Sequence, residues 1–391
     1  MRILMVHNYY QFAGGEDIAF ESEAALLLRK GHKVIQYTDR NSRIPDFTKV
    51  ELAINTIWST KSYHRLLEVM LKEKPDLVHF HNIFPLISPS VYYACHSLEI
   101  PIIQTIHNYR IGCPVATFYR DGVVCEACLG KTFAYPGVLY KCYRNSHLQT
   151  IITASMLAFH KLRNTWDKFV DVFIALTEFS SLKLSQAGLP ASKISVKPNF
   201  IVSDTEFDRK NEGSYALFAS RLSREKGLST LLTAWSTIPD IPLIIVGDGP
   251  LRNTLEQYRG AERAIAYLGY IDHENVLSLM RDARFLVFPS EWYEVFPLAI
   301  IEAFACGLPV IAPNLGSIPE IIQEGKTGLL FTPSDPNSLA AKVNWLWHHP
   351  KESSRMGRQA RLEYESKYTP DINYQLLMGI YAKVSPSARN T

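Results

Sequence analysis

The sequence predicts an α/β protein made of two doubly wound, parallel-sheet domains, and three observations carry this. Short apolar, β-branched runs alternate with longer amphipathic stretches along the chain, as strands and helices do around a parallel sheet. The runs form two series with a polar stretch between them. The length, 391 residues, leaves room for two or three domains of roughly 150 residues each. With 47% hydrophobic, 20% charged and 12% aromatic residues, the composition supplies ample core and excludes a disordered chain, a collagen and a coiled-coil rod.

The first series of predicted strands occupies 3–6 (Ile3, Leu4, Met5, Val6), 33–37, 77–80, 102–106 and 172–176. A helix is expected to start near Glu16, after Gly14 and Gly15. The second series occupies 215–219, 243–246, 264–268, 285–288 and 310–312, with a helix over 228–235. Another helix is expected with Pro297 at its first position and its stop at Gly307, Pro309 preventing continuation. Lys197, Pro198, Asn199 and Phe200, followed by a polar stretch through Asn211, Glu212 and Gly213, read as the interdomain linker. The expected division is 1–200, with a cysteine-rich loop at 113–142; 201–370; and 371–391, a helix crossing back to the first domain. Open parallel sheets bind ligands beyond the carboxyl ends of their strands, so two such domains facing one another would place a site in the cleft between them.

The net charge of +3 is too small to suggest a nucleic-acid partner. It divides unevenly: residues 1–200 carry 22 Lys+Arg against 16 Asp+Glu, or +6, and residues 201–391 carry 19 against 22, or −3. The basic half should face anionic molecules. Met1 to Val6 run straight into a strand pattern without the apolar core of a secretory leader, and no apolar stretch approaches the roughly 18 residues of a bilayer span. A cytoplasmic location is expected, with the inner face of the cell membrane as a further address. That address comes from 141–168, where Lys141, Arg144, Lys161, Arg163 and Lys168 against Asp167 give +4 around an apolar stretch. A basic amphipathic helix can lie on an anionic membrane; the other reading is a surface helix with a core-facing stripe.

Six cysteines in a cytosolic chain should be reduced. Cys95 and Cys306 sit in apolar surroundings and read as small hydrophobes. Cys113, Cys125, Cys128 and Cys142 fall within thirty residues, and the two-residue gap between Cys125 and Cys128 lets both thiolates bind one tetrahedral ion. A structural zinc holding a long loop is one reading. Four unliganded thiols are the other, since the outer gaps are not diagnostic.

The helix expected after Pro297 is apolar nearly all round, yet it carries Glu302, whose burial as an ion requires hydrogen bonds from a ligand hydroxyl pair, a salt bridge or a backbone amide. The N-terminus of this helix, with its unpaired N–H groups, suits a phosphate. Glu294, eight positions earlier, would repel an adjacent anion, so hydroxyls further on are its expected partners. Cations to neutralise a diphosphate would come from the turn after strand 215–219, with Arg221 and Lys226 as the pair. A glycine turn at Gly247, Asp248, Gly249 and Pro250 also follows a strand.

Glu294 and Glu302 with seven residues between them, Ser220-Arg221-Leu222 followed by Glu225-Lys226-Gly227, the Gly247 to Pro250 turn and Gly307-Leu308-Pro309-Val310 occur in one order. In that order the chain resembles, over nearly its whole length, a family-4 retaining glycosyltransferase of the GT-B fold, of the bacterial polysaccharide-assembly type. The resemblance implies that Glu302 binds the ribose of a nucleotide sugar, that Arg221 and Lys226 bind its diphosphate together with the amides of Val295 and Phe296, and that Glu294 binds the transferred sugar. Tyr267 and Leu268 would cradle the base. Gly14 and Gly15 match the family's glycine pair near the donor phosphate and acceptor, and His107 the histidine beside the reacting sugar. A flexible turn and satisfied structural histidines (His79, His81, His107) are the plainer readings. Val295 stands where the family more often has glycine, which narrows the approach. The cysteine loop resembles one in a subset of polysaccharide-assembly members, where zinc would shape an acceptor loop.

The implied reaction moves a hexose-type sugar from a UDP- or GDP-linked donor to a hydroxyl of a glycan or lipid-linked glycan, with retention and no catalytic metal. Other readings are a GT-B epimerase or hydrolase, and a non-catalytic nucleotide-sugar or zinc-dependent interaction protein.

Overall fold

The computed structural model describes residues 1–11, 14–203, 213–256 and 264–384. Asn211 and Glu212 of the expected linker, and the end of the 371–391 segment, lie outside the described residues. The chain divides into two units. One comprises Met1–Phe118, Cys125–Asn199 and Pro370–Thr391; the other comprises Tyr119–Val124 and Phe200–Thr369.

The strands in chain order begin with β1 (Arg2–Tyr9), β2 (Lys33–Arg40), β3 (Leu77–Phe80) and β4 (Ile102–Thr105). A short antiparallel hairpin, β5 (Tyr119–Arg120) and β6 (Val123–Val124), follows, then β7 (Val172–Ala175) and β8 (Ile194–Val196). The first unit holds one parallel sheet in the order β2-β1-β3-β4-β7-β8. Its strands read as unbroken apolar runs because both faces are covered. Ile3 and Met5 point into a cluster with Phe20, Leu27, Ile103 and Ile174. Leu4 and Val6 point the other way, toward Val78, Phe80, Tyr92 and Phe173. Fully burying each of these four β1 side chains is worth roughly 1.5–3 kcal/mol, which makes β1 the natural centre of the sheet.

The last helix, Pro370–Val384, belongs to this first unit, where Leu377, Ile380, Tyr381 and Val384 complete the cluster around Ile3 and Met5. The basic segment 141–168 forms the helix His147–Leu162 and a short helix Thr165–Phe169. Met156 and Leu157 pack into the core, while Leu148, Ile151 and Leu162 stay exposed. The apolar stripe of this segment is therefore spent largely on the first unit's own interior.

The second unit continues with β9 (Ala216–Ala219), β10 (Leu243–Val246), β11 (Ile265–Gly269), β12 (Phe285–Val287), β13 (Val310–Pro313) and β14 (Gly328–Phe331). These pair in parallel in the order β11-β10-β9-β12-β13-β14. In each sheet the direction of winding reverses once, between β1 and β3 in the first and between β9 and β12 in the second. Such reversals leave a crevice at the carboxyl ends of the two strands, where doubly wound sheets take ligands. The helix after β12 spans Leu298–Ala305, with Pro297 as its extended N-cap rather than its first helical residue.

Candidate active site

At the reversal point of the second sheet, the turn after β9 meets the turn after β12. Arg224–Lys226 form a single 3-10 turn, and Gly227 follows in the left-handed region at φ 71°. Glu294 is buried, with 6% of its surface exposed. Its Oε1 accepts hydrogen bonds from Lys226 Nζ, Ser290 Oγ and Trp292 Nε1, each at 2.7 Å. Lys226 also lies 5.1 Å from the centre of the Trp292 ring. Two residues that the sequence assigned to different parts of a ligand are thus joined to each other. An ammonium has three N–H groups, so Lys226 keeps donors beyond the one given to Glu294.

Arg221 is exposed and pairs with Glu225. Glu302, half-buried on the Leu298–Ala305 helix, accepts from His273 Nε2 at 2.9 Å. His273 begins the helix His273–Asp282, and nothing in the sequence linked it to Glu302. This hydrogen bond raises the His273 imidazole above its usual range. Tyr267 is buried and donates from its hydroxyl to the Gly247 carbonyl at 3.1 Å, while the Gly247 N–H donates to the Gly269 carbonyl at 2.9 Å. These bonds tie the glycine turn to the end of β11, where Leu268 stays exposed. Val295 is half-buried, and Phe296 packs edge-on against Tyr368 at 5.9 Å.

The first unit has its own group of polar residues at the ends of β1, β3 and β4. Gly14 caps the helix Gly15–Arg29, its N–H donating to Asp17 Oδ2 at 3.0 Å. Its φ of −127° suits any residue, and among the described residues an added Cβ would meet nothing nearer than Tyr10 at 3.9 Å. Glu16, in the first turn, accepts from Asn108 Nδ2 at 2.8 Å and from the Tyr10 hydroxyl at 3.0 Å, and burial pushes its carboxyl up from the ordinary range. Glu16, Asn108, Arg110 and His107 line a solvent-open pocket that Leu157 and Trp166 also line.

Behind His107 lies a buried polar network. His107 Nε2 is 2.9 Å from His81 Nδ1. His79 contacts the Tyr381 hydroxyl and the Thr105 hydroxyl, both at 2.8 Å. The ligand atoms of Glu23, His79 and His81 lie within 4.8 Å of one another, a spacing a metal would tolerate. Lys197, fully buried, instead puts its ammonium 2.9 Å from Glu23 Oε2 and 3.1 Å from Asn373 Oδ1, so a cation already balances the carboxylate. The sequence marked His79 and His81 only as structural histidines; two polar residues in the fully buried stretch that ends β3 were the available signal for a network.

The four loop cysteines share the first unit. Cys113 is buried and Cys125, Cys128 and Cys142 are half-buried. The Gly137 N–H donates to Cys128 Sγ at 3.2 Å. Burial pushes the Cys128 thiol up to about 11, with Cys113, Cys142 and Cys125 adding smaller contributions as neighbours. The donor set suits zinc in number and softness.

Comparison with known proteins agrees with this architecture. The solved structure of Anabaena Alr3699/HepE in complex with UDP covers 98% of this chain and 100% of its own, with a TM-score of 0.69 at 18% identity. Sucrose-phosphate synthase from Thermosynechococcus elongatus covers 98% and 99%, with a TM-score of 0.71 at 20% identity. Two parallel-sheet, Rossmann-like domains with such neighbours define the GT-B class. Residues 14–205 match the family described as Glycosyltransferase Family 4, and residues 203–363 match Glycosyl transferases group 1. Glycogen synthase of Mycobacterium tuberculosis is 33% identical over 353 residues, 85% of this chain and 76% of the relative. D-rhamnosyltransferase WbpZ of Pseudomonas aeruginosa is 34% identical over 159 residues, 40% of this chain and 42% of the relative. The chain belongs to the family-4 glycosyltransferases.

Proposed function

We propose that the protein transfers a hexose-type sugar, with retention, from a UDP- or GDP-linked donor to a hydroxyl of a glycan or lipid-linked glycan in cell-surface polysaccharide assembly. The observation that carries this is the cluster at the reversal point of the second sheet. There Lys226 and Glu294 meet, Glu302 lies further along the same segment, and the helix N-terminus lies between the two acids. In this reading Arg221, Lys226 and the amides of Val295 and Phe296 stabilise the leaving diphosphate electrostatically, so no catalytic metal is needed. Glu302 holds the ribose, Tyr267 and Leu268 flank the base, and Glu294 and His107 hold the sugar. Gly14 and Gly15 lie beside the donor phosphate or acceptor in this reading, glycine allowing close approach of the backbone. The bond between the anomeric carbon and the diphosphate oxygen breaks while the acceptor oxygen bonds to the same face; the acceptor proton passes to the departing phosphate. The rhamnosyltransferase likeness, and a 32% identity over 180 residues to O-antigen chain mannosyltransferase B of Escherichia coli, support a polysaccharide role.

A thermal-shift panel of UDP-, GDP-, ADP- and dTDP-sugars tests the donor site. The matching donor, at about 100 times its Kd, should add about 2.7 kcal/mol, or roughly 5–10 °C in Tm. Glu302→Ala and Arg221→Ala should each abolish the shift. A panel without any shift removes the assignment, and free sugar released without acceptor would favour a hydrolase.

Zinc on Cys113, Cys125, Cys128 and Cys142 is a second part of the proposal. It would pin a loop that has little regular structure of its own. Atomic emission on protein grown with zinc should find one ion per chain, and chelation should lower Tm; metal-free protein with four thiols that titrate freely would end this reading.

A further inference from the structure

His81 Nδ1 and His107 Nε2 face each other at 2.9 Å, so a single hydrogen lies between them. Both imidazoles are neutral at pH 7: burial above all holds His81 down to about 3 and His107 well below the usual range. Each ring therefore carries one N–H, and which ring supplies the shared hydrogen decides both tautomers.

Glu23 breaks the tie. Burial would push its carboxyl up, but Lys197, His79 and His81 together hold it well below the usual range, so it is a carboxylate. Glu23 Oε1 lies 3.4 Å from His81 Nε2. The approach is too oblique for a well-formed hydrogen bond, and its effect is that of a charge on a nearby ring. Were His81 to supply the shared hydrogen from Nδ1, its bare Nε2 lone pair would face this negative charge. With His107 as the donor, His81 Nε2 carries a hydrogen toward Glu23 instead. In a buried, low-dielectric setting the second arrangement wins. His107 Nδ1 is then the bare nitrogen, and it has no partner among the described residues.

We propose that Lys197, Glu23 and His81 form a positioning relay that keeps His107 in its Nε2–H tautomer, so that Nδ1 meets the substrate as an acceptor for a sugar hydroxyl. His107 is thereby a reader of hydroxyl donors and not an N–H donor to phosphate. The consequence for catalysis rests on the placement of His107 at the reacting sugar.

Long-range 1H–15N correlation spectra of ¹⁵N-histidine-labelled protein at neutral pH test the relay without substrate, with His107 assigned by its loss in His107→Asn. The wild type should show a protonated Nε2 and a bare Nδ1 on His107. In Glu23→Gln, the Lys197 ammonium retains the amide oxygen and turns the amide NH₂ to where Oε1 stood, 3.1 Å from His79 Nδ1 and 3.4 Å from His81 Nε2, so that one N–H is available to each ring. His81 then accepts at Nε2 and donates at Nδ1, and His107 switches to Nδ1–H. Turnover should fall about 10- to 100-fold, as when the partner orienting an imidazole is lost. Because an unpaired Lys197 can unfold the variant, Glu23→Gln/Lys197→Met removes both charges together and should leave His107 in a mixture of tautomers. A wild-type Nδ1–H on His107, or an unchanged tautomer in either folded variant, overturns the relay. A switched tautomer with unchanged turnover overturns the placement of His107 and leaves the relay standing.

Discussion

Glu294→Gln is expected to fold and to transfer sugar about 100- to 1,000-fold more slowly, the scale of losing one preorganised electrostatic contact. Glutamine keeps the shape of the side chain and an oxygen that Ser290 and Trp292 can still reach. What disappears is the charge opposite Lys226. The freed ammonium would then bind a diphosphate at least as tightly as before, so nucleotide affinity should hold or rise while turnover collapses. This pattern separates a role at the sugar from a merely structural one, which would lower Tm and leave kcat alone. A folded variant with kcat within about twofold of wild type would refute the assignment of Glu294; steady-state kinetics beside a nucleotide titration decide it.

Gly227→Ala should be the most damaging small substitution in the donor-binding turn. Its φ of 71° is strained for any residue with a side chain, and the added Cβ would come to 1.9 Å from the Pro289 carbonyl oxygen. That oxygen is backbone and cannot rotate away, so the turn after β9 must separate from the chain after β12. Strain and displacement together should cost about 3 kcal/mol or more, or roughly 6–12 °C in Tm. The same movement draws Lys226 away from Glu294 and should abolish nucleotide binding. Calorimetry with and without nucleotide reads both effects; a native Tm with native affinity would mean that the turn is held less tightly than its geometry requires.

The sheets were legible because buried parallel strands leave unbroken apolar runs, and ten of these gave strands within a residue or a few of their expected ends. Strands β8 and β14 escaped notice for local reasons: Ser195 interrupts the first, and Gly328 opens the second. The hairpin β5–β6 is too short to show a period. Within the candidate site, single residues could be picked out by charge in an apolar setting, as with Glu302, or by glycine at a strand end. Pairings could not. Lys226 and Glu294 are 68 positions apart, and His273 and Glu302 are 29 apart, so their contacts exist only once the winding order brings the strand ends together. The relay behind His107 is less local still, drawing on a helix, the ends of two strands and Lys197.

The closing helix Pro370–Val384 has a consequence for the order in which the chain acquires its shape during synthesis. When residue 199 leaves the ribosome, every strand of the first sheet has been made, yet one face still lacks Leu377, Ile380, Tyr381 and Val384. At that moment the ammonium of Lys197 has Glu23 but not Asn373, and His79 lacks the Tyr381 hydroxyl. The unit that comes earlier in the sequence is the later of the two to be finished, and until 370–384 has been made this face of its sheet relies on Phe20, Ala24 and Leu27 of the Gly15–Arg29 helix.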